Sequence, residues 1–211
     1  MTNGETDAVF VDFLQNEDTQ NYEEVTDFDK LRQYLLQKLD AYNHQPKVQK
    51  MDIVLFKEAI IHCAKIYRVL TLKRGHVLLV GVGGSGRHSL TRLCAYLAHM
   101  NCDQLEIRKD FGLKDFRTKL KELYELSAFK GKWHLKTVFI FSDNDVVKES
   151  FLEDIQNTLN SGIVPNLYTN EELSRIREEG IIGKKYKEAG NTNESPDAIN
   201  EWFFNRVKDN L

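Results

Sequence analysis

A chain of 211 residues with a formal net charge of −3 has room for one domain and an extension, and it carries no field strong enough to draw it to nucleic acid or to a membrane surface. No signal peptide is visible, and the longest apolar runs fall far short of the roughly 18 residues of a membrane span. The three cysteines, Cys63, Cys94 and Cys102, lack metal-ligand spacing; the first two fall on apolar helix faces and read as buried free thiols, which suits a reducing compartment, cytoplasm or cytoskeleton.

Residues 1–28 carry many acids and one apolar patch, Val9-Phe10-Val11-Asp12-Phe13-Leu14, and read as a connecting arm whose acids are solvated. From Asp27 the spacing of Leu31, Leu35, Leu39 and Tyr42 predicts a helix that Pro46 ends or follows. Asp52 is placed to cap a second helix, with Phe56, Ile60, Cys63, Tyr67 and Leu70 on one face. His62 falls off that face and reads as a surface histidine; Lys73-Arg74-Gly75 suits the helix C-terminus.

The next stretch, His76 to Leu90, organises the rest. Val77-Leu78-Leu79-Val80 predicts a strand buried on both faces. Gly81-Val82-Gly83-Gly84-Ser85-Gly86 cannot continue it, and supplies the positive φ values and close backbone approach of a phosphate loop. Leu90, Leu93, Cys94 and Leu97 then change to helical spacing. Strand, glycine loop and helix N-terminus together make an anion site, because free N–H groups and the helix dipole both face the ligand. Gly81 to Gly86 fits the phosphate-loop frame G-x-x-x-x-G, with Arg87 where that frame has Lys. Gly81, Gly83 and Gly86 also fit the dinucleotide frame G-x-G-x-x-G, for which Glu106 or Asp110 would supply the ribose acid, and Arg108 and Lys109 would favour a 2′-phosphate. A glycine-rich turn that holds nothing is the third reading.

Gln104 to Arg108 predicts a second strand, Phe116, Leu120 and Leu123 a further helix, and Gly131 a turn. Thr137 to Phe141, apolar on both faces, predicts a third strand ending in Ser142-Asp143-Asn144-Asp145. A helix with Leu152, Ile155 and Leu159 follows, closed by Ser161-Gly162. Strands alternating with helices imply a parallel sheet. Residues 163–194 are irregular, with a short helix over Glu171–Arg177 and a loop from Gly180 to Asn193. Ser195 and Pro196 start a last helix with Ile199, Trp202, Phe203 and Val207 on its apolar side.

Phosphate-loop hydrolases bring acids to the metal and the attacking water at a second strand tip. Here that tip offers Ser142 first and Asp143 second. Serine meets Mg²⁺ only through water, and Asp143 is one CH₂ shorter than Glu. His88 stands where a hydroxyl would meet the metal, and imidazole is a poor magnesium ligand; Ser89 substitutes if the register relaxes by one. Such a site holds phosphates but is poorly built to split them. The alternative is that Asp143 and Asp145 are loop acids capping the helix that follows.

With these pieces assembled, the sequence resembles dynein heavy chains, most closely the fourth AAA+ module of the axonemal type. The resemblance is carried by Met51-Asp52-Ile53-Val54-Leu55-Phe56, by Gly81 through Leu93, by Glu149 through Ile155, and by Leu159-Asn160-Ser161-Gly162 running into Val164-Pro165-Asn166-Leu167; it extends from about Phe10 to Leu211. It implies an α/β P-loop NTPase (AAA+) three-layer sandwich with a parallel sheet, preceded by N-terminal helices: an arm over 1–28, helices over 29–72, a phosphate-loop core over 76–162, an irregular insertion over 163–194 and a terminal helix over 195–211. It also implies an ATP-driven, minus-end-directed microtubule motor of six AAA+ modules, in which the fourth binds nucleotide and tunes the cycle. The other modules, intermediate and light chains, and microtubules would be its partners, and the axoneme of a cilium its place. Gly81, Gly83, Gly84, Ser85, Gly86, Arg87, His88 and Ser89 would cradle the phosphates of ATP or ADP, Val54 and Leu55 would line the adenine, and Mg²⁺ would be weakly held. Ser142 and Asp143 would be the degraded acid pair, and His88 departs from the family's glutamine.

In this fold class a fourth strand lies between the first and third. It would follow Leu211, as would a fifth strand, the arginine finger and the helical lid. The expectation is therefore a sheet incomplete at the C-terminus, with unpaired edges and exposed apolar faces, in a piece of a longer polypeptide. Two other functions compete with the regulatory nucleotide module: an NAD(P)-dependent oxidoreductase domain, against which no catalytic constellation follows the third strand, and a structural ring spacer that binds no ligand.

Overall fold

In the computed structural model, which describes residues 8–14, 21–130, 136–178 and 181–211, the chain divides into two compact units, Met1–His99 and Met100–Leu211. The first is built on three helices. Helix α1, Phe28–Asn43, starts where the sequence places its cap: the Asp27 carboxylate accepts the Lys30 N–H at 2.9 Å. Leu31, Leu35 and Leu39 recur one turn apart and are buried. The Asn43 side chain then holds the Met51 backbone, accepting its N–H at 2.8 Å and donating to its carbonyl at 2.9 Å, which closes the loop between.

Helix α2, Lys57–Thr71, begins later than the sequence reading places it. Asp52 does not cap it; the residue before the helix is Phe56, with no side-chain cap bond. Met51 to Phe56 stays outside the helix, with Leu55 reaching into the core and Asp52 and Phe56 exposed. Ile60, Cys63 and Tyr67 are buried as expected, and His62 is exposed. Helix α3, Arg87–Leu97, turns Leu90, Leu93, Cys94 and Leu97 into the same core. The arm joins it: strands β1, Phe10–Val11, and β2, Glu23–Glu24, pair antiparallel, Val9, Val11 and Val25 are buried, and the Phe13 ring lies 5.5 Å from Tyr34 and 4.7 Å from Tyr67.

The strand predicted over His76–Val80 is not formed. Leu78, Val80 and Val82 are 88%, 86% and 80% exposed, and Leu79 alone of the run packs on the core. A strand buried on both faces needs hydrogen-bonded neighbours along its edges. Among the described residues no strand pairs with this one, so the unpaired apolar run of the sequence reading is observed as an exposed extended segment.

The second unit holds a parallel pair, β3, Asn101–Gln104, and β4, Thr137–Ile140, with Asn101 opposite Thr137 and Gln104 opposite Ile140. The second strand thus lies earlier than the predicted Gln104–Arg108. Pairing stops where Leu105 drops into the aromatic core, and Glu106 to Asp110 are exposed. Helix α4, Leu113–Glu125, buries Phe116, Leu120 and Leu123 and runs into a π-helical turn, Leu126–Lys130. The turn predicted at Gly131 lies outside the described residues.

Helix α5, Glu149–Asn160, forms where the sequence places it, with Ile155 packed against the core. Leu152 and Leu159 are 47% and 43% exposed, while Phe151 and Asp154 are buried. Two contacts from α4 decide this. The Phe151 ring stacks on Phe116 at 4.2 Å with an interplanar angle of 7°, and Asp154 is gripped by Arg117 through Nε at 2.9 Å and a terminal nitrogen at 3.0 Å. Gly162 closes the helix in the left-handed conformation, φ +73°, its N–H reaching the Asn157 and Thr158 carbonyls.

Helix α6, Asn170–Glu178, covers the predicted short helix. Residues 181–188, read as loop, form helix α7, Ile181–Glu188. Ile182 and Tyr186, one turn apart, both point inward, and the Lys185 ammonium donates to the Phe129 carbonyl at 2.9 Å. Gly180 lies outside the described residues, and a loop does follow from Asn191 to Ser195. Helix α8, Pro196–Asn210, starts on its predicted cap, Ser195, whose hydroxyl accepts the Ala198 N–H. It buries Phe203 and Val207, with Ile199 and Trp202 partly covered.

Candidate nucleotide site

The extended run from His76 feeds a loop whose turns need glycine at two places. Gly84 and Gly86 have φ of +76° and +75°, the left-handed region that other residues enter only at a cost. A Cβ built on Gly83, Gly84 or Gly86 meets nothing within 4 Å, so the backbone there faces open space. Gly86 is the N-cap of α3 and has no side-chain cap bond. The first bond of the helical ladder is Leu90 N–H to the Gly86 carbonyl at 2.8 Å. The N–H groups of Arg87, His88 and Ser89 precede it, at the positive end of the helix dipole.

The Arg87 guanidinium is folded back over the loop. It donates to the Leu79 carbonyl at 3.2 Å and to the Val82 carbonyl at 3.3 Å, lying beside Gly81. The side chain thus ties the end of the extended run to the loop. The Ser85 hydroxyl flanks the same glycine, His88 and Ser89 are half-buried, and one turn on the Thr91 hydroxyl donates to the Arg87 carbonyl at 2.9 Å. Of the two residues assigned to the adenine, Val54 is 72% exposed and Leu55 is 1% exposed within the core. His76, at the start of the run, has its pKa lowered by partial burial.

The acid corner sits in the second unit. Asp143 is exposed and opens a short 3₁₀ turn, Asp143–Asp145. Ser142 donates both its backbone N–H and its hydroxyl to one carboxylate oxygen of Asp145, each at 2.7 Å, and Asp145 is buried. A capping role was open for these acids. Asp145 fills it at the start of the 3₁₀ turn rather than at the helix after it. Glu106, Arg108, Lys109 and Asp110, the dinucleotide candidates, are all exposed after β3. Among the described residues no three His, Cys, Asp or Glu side chains gather as a metal site, and no helix is long and apolar enough to cross a membrane.

The phosphate loop now has its family. Residues 51–211 match the family model described as the P-loop containing dynein motor region D4. The chain belongs to this dynein family. It is 42% identical over 208 residues to the Dynein-1-beta heavy chain, flagellar inner arm I1 complex, of Chlamydomonas reinhardtii, covering 98% of this chain and 4% of that protein. It is 39% identical to Dynein axonemal heavy chain 2 of Homo sapiens, over 96% of this chain and 4% of the relative, and 36% identical to human Dynein axonemal heavy chain 6, over 96% and 5%. The chain therefore spans about one twentieth of the length of these relatives. The dynein D4 region is of the P-loop AAA+ class, and the helices and parallel strand pair described above accord with it.

The residues of this D4 region fit a nucleotide's phosphates: unbonded N–H groups at an uncapped helix start, open space beside three glycines, and a guanidinium in reach. For magnesium the loop offers less: the phosphate-loop frame puts the imidazole of His88 where a hydroxyl would meet the ion, and imidazole is a poor magnesium ligand. Sequence reasoning missed the double grip of Asp145 on Ser142, although the S-x-x-D spacing signals it, and the fold-back of Arg87, which depends on local backbone direction.

Proposed function

We propose that this chain is part of the fourth AAA+ module of an axonemal dynein heavy chain, a regulatory nucleotide-binding element of an ATP-driven, minus-end-directed microtubule motor of cilia and flagella. The observation that carries this reading is the uncapped N-terminus of α3 behind the left-handed glycines Gly84 and Gly86. The N–H groups of the loop and of Arg87 to Ser89 receive the phosphate oxygens of ATP or ADP. Arg87 exchanges its two carbonyl partners for phosphate, and Val54 lies against the base. Mg²⁺, where bound, adds charge neutralisation on the phosphates and is weakly held. Hydrolysis is weak or absent, because Ser142 takes the first acid position and Asp143, in the second, is one CH₂ shorter than Glu.

The arm over 1–28 and the partial module over 29–211 belong to a longer polypeptide, in which the module's fourth strand, following Leu211, pairs with the run that holds Leu78 and Val80. Intermediate and light chains and microtubules are partners of the whole motor, in the cytoplasm and on the cytoskeleton of the axoneme. Neither nucleic acid nor membrane is a partner.

Equilibrium binding to the complete module tests this. Labelled ADP or ATP binds and NAD(P) does not; the reverse result transfers the loop to the dinucleotide reading. Arg87→Ala weakens ADP by roughly 1.5–3 kcal/mol, the worth of hydrogen bonds to a charged group. Unchanged affinity removes Arg87 from the phosphates. Turnover by the module at rates typical of motor ATPases refutes the impaired-hydrolysis claim.

A further inference from the structure

Two nucleophilic side chains lie outside everything used so far. Cys63 on α2 and Cys94 on α3 are both fully buried, with their sulfurs 3.4 Å apart. The Cys94 thiol also donates to the Cys63 carbonyl at 3.3 Å. The surroundings are apolar, among them Ile60, Ile66, Leu90 and Leu93, and among the described residues no third ligand stands near to make a metal site.

We propose that Cys63 and Cys94 form a reversible disulfide that staples α2 to the phosphate-loop helix α3. Bonded sulfurs are about 2.05 Å apart, so the pair has roughly 1.3 Å left to close, a distance that side-chain rotation and slight helix approach supply. The ring so closed contains the whole of His76 to Gly86, so the phosphate loop becomes part of a covalent circle. Constraint of the unfolded chain then stabilises the folded unit.

Hydrogen peroxide is the class of oxidant that suits a buried pair, being small. One thiol is oxidised to a sulfenic acid with release of one water. The second sulfur then displaces the hydroxyl, which leaves as a second water with the remaining proton. Two S–H bonds break and one S–S bond forms, and peroxide takes up the two electrons and two protons. A dithiol reductant reverses the change. Burial keeps the Cys94 thiol protonated, so the rate is set by local opening of the α2–α3 contact and is slow beside that of an exposed thiol.

Cys102, exposed in the second unit, is the internal standard. The intact, folded chain is treated with peroxide, quenched, digested without reduction and mapped by mass spectrometry. The expected product joins the peptides of Cys63 and Cys94, two hydrogens lighter than the reduced pair, and the treated protein melts at a higher temperature until dithiothreitol restores it. Three results overturn the proposal: both thiols free after exposure that has fully oxidised Cys102, sulfinic or sulfonic acid at either without the cross-link, or a cross-link that forms only once urea has unfolded the chain. No variant is needed, so a misfolded mutant cannot confuse the outcome.

Discussion

The segments His76–Val80 and Thr137–Ile140 carry nearly the same message in sequence and meet different fates. Both are short apolar runs with β-branched residues, and both lead into a polar loop expected to do chemistry. In the second unit the run pairs in parallel with Asn101–Gln104, and Val138 and Ile140 are buried. In the first unit the run pairs with nothing among the described residues, and its Leu78 and Val80, with Val82 just after it, stand in solvent. The pattern encodes an environment and not a structure by itself. A strand becomes a strand when its backbone groups find partners on an edge, and among the described residues no strand pairs with this run.

The largest effects that test this contrast lie in the two apolar sets. Phe116→Ala removes the ring stacked on Phe151 and leaves a cavity, and should destabilise the second unit by about 3–5 kcal/mol in urea unfolding. Leu78→Ala in the same chain should shift stability by no more than about 0.5 kcal/mol, because the side chain has little burial to lose. A large cost for Leu78→Ala would mean that the run is covered, and would break the comparison.

Next comes the polar contact that helps choose the buried face of α5. Asp154 is buried while its partner Arg117 keeps about a third of its side chain in water. Arg117→Ala strands the carboxylate and should cost about 3 kcal/mol, the low end for breaking a buried pair. The double variant Arg117→Ala with Asp154→Leu should recover much of that loss, since the uncompensated charge is then gone. No recovery would mean that the pair fixes α5 by shape rather than by charge.

How far the sequence reads the molecule depends on the range of the interaction. Helix faces set by neighbours three and four residues away are legible: Leu31, Leu35 and Leu39, or Phe116, Leu120 and Leu123, are buried where the period puts them. Caps are legible when residue and position agree, as at Asp27 and Ser195, and fail at Asp52, which stays exposed outside the helix. In helix α5 the element is legible but its buried face is not: apolar spacing weighs Leu152 and Leu159 equally with Phe151, whereas a partner ring and a guanidinium from α4 choose the face. Glycine and lysine content hid α7, whose two inward residues are too few to show a period. At the phosphate loop the glycines and their order were legible, but not the direction of the Arg87 side chain, which follows from carbonyls eight and five residues back.

Smaller effects come from the caps, and here the two units should behave alike. Asp27→Ala and Ser195→Ala each remove one acceptor from a helix start and should each cost about 1 kcal/mol. A much larger loss at Asp27 than at Ser195 would show that the start of α1 supports more of its unit than the start of α8 does.

The smallest effect is a pH-dependent one at α6. Thr169 and Glu172 form a reciprocal cap: the Thr169 hydroxyl accepts the Glu172 N–H at 3.2 Å, and the Glu172 carboxylate accepts the Thr169 N–H at 2.8 Å. The T-x-x-E signature for this box stands in the sequence. The same carboxylate meets the Lys121 ammonium of α4 at 2.6 Å. The hydrogen bond from Lys121, with help from the Thr169 N–H, holds its pKa below the ordinary 4.5. A depressed carboxyl adds stability that is fully present above its unfolded value and is lost as pH falls through its folded one. Glu172→Gln keeps an acceptor for the Thr169 N–H and removes only the charge. The variant should therefore melt slightly below the parent at neutral pH, and the gap should close as the solution is taken below about pH 4.5, where the parent's carboxyl protonates. A gap that stays constant across that range would assign the contact to the cap alone and leave Lys121 without a part in it.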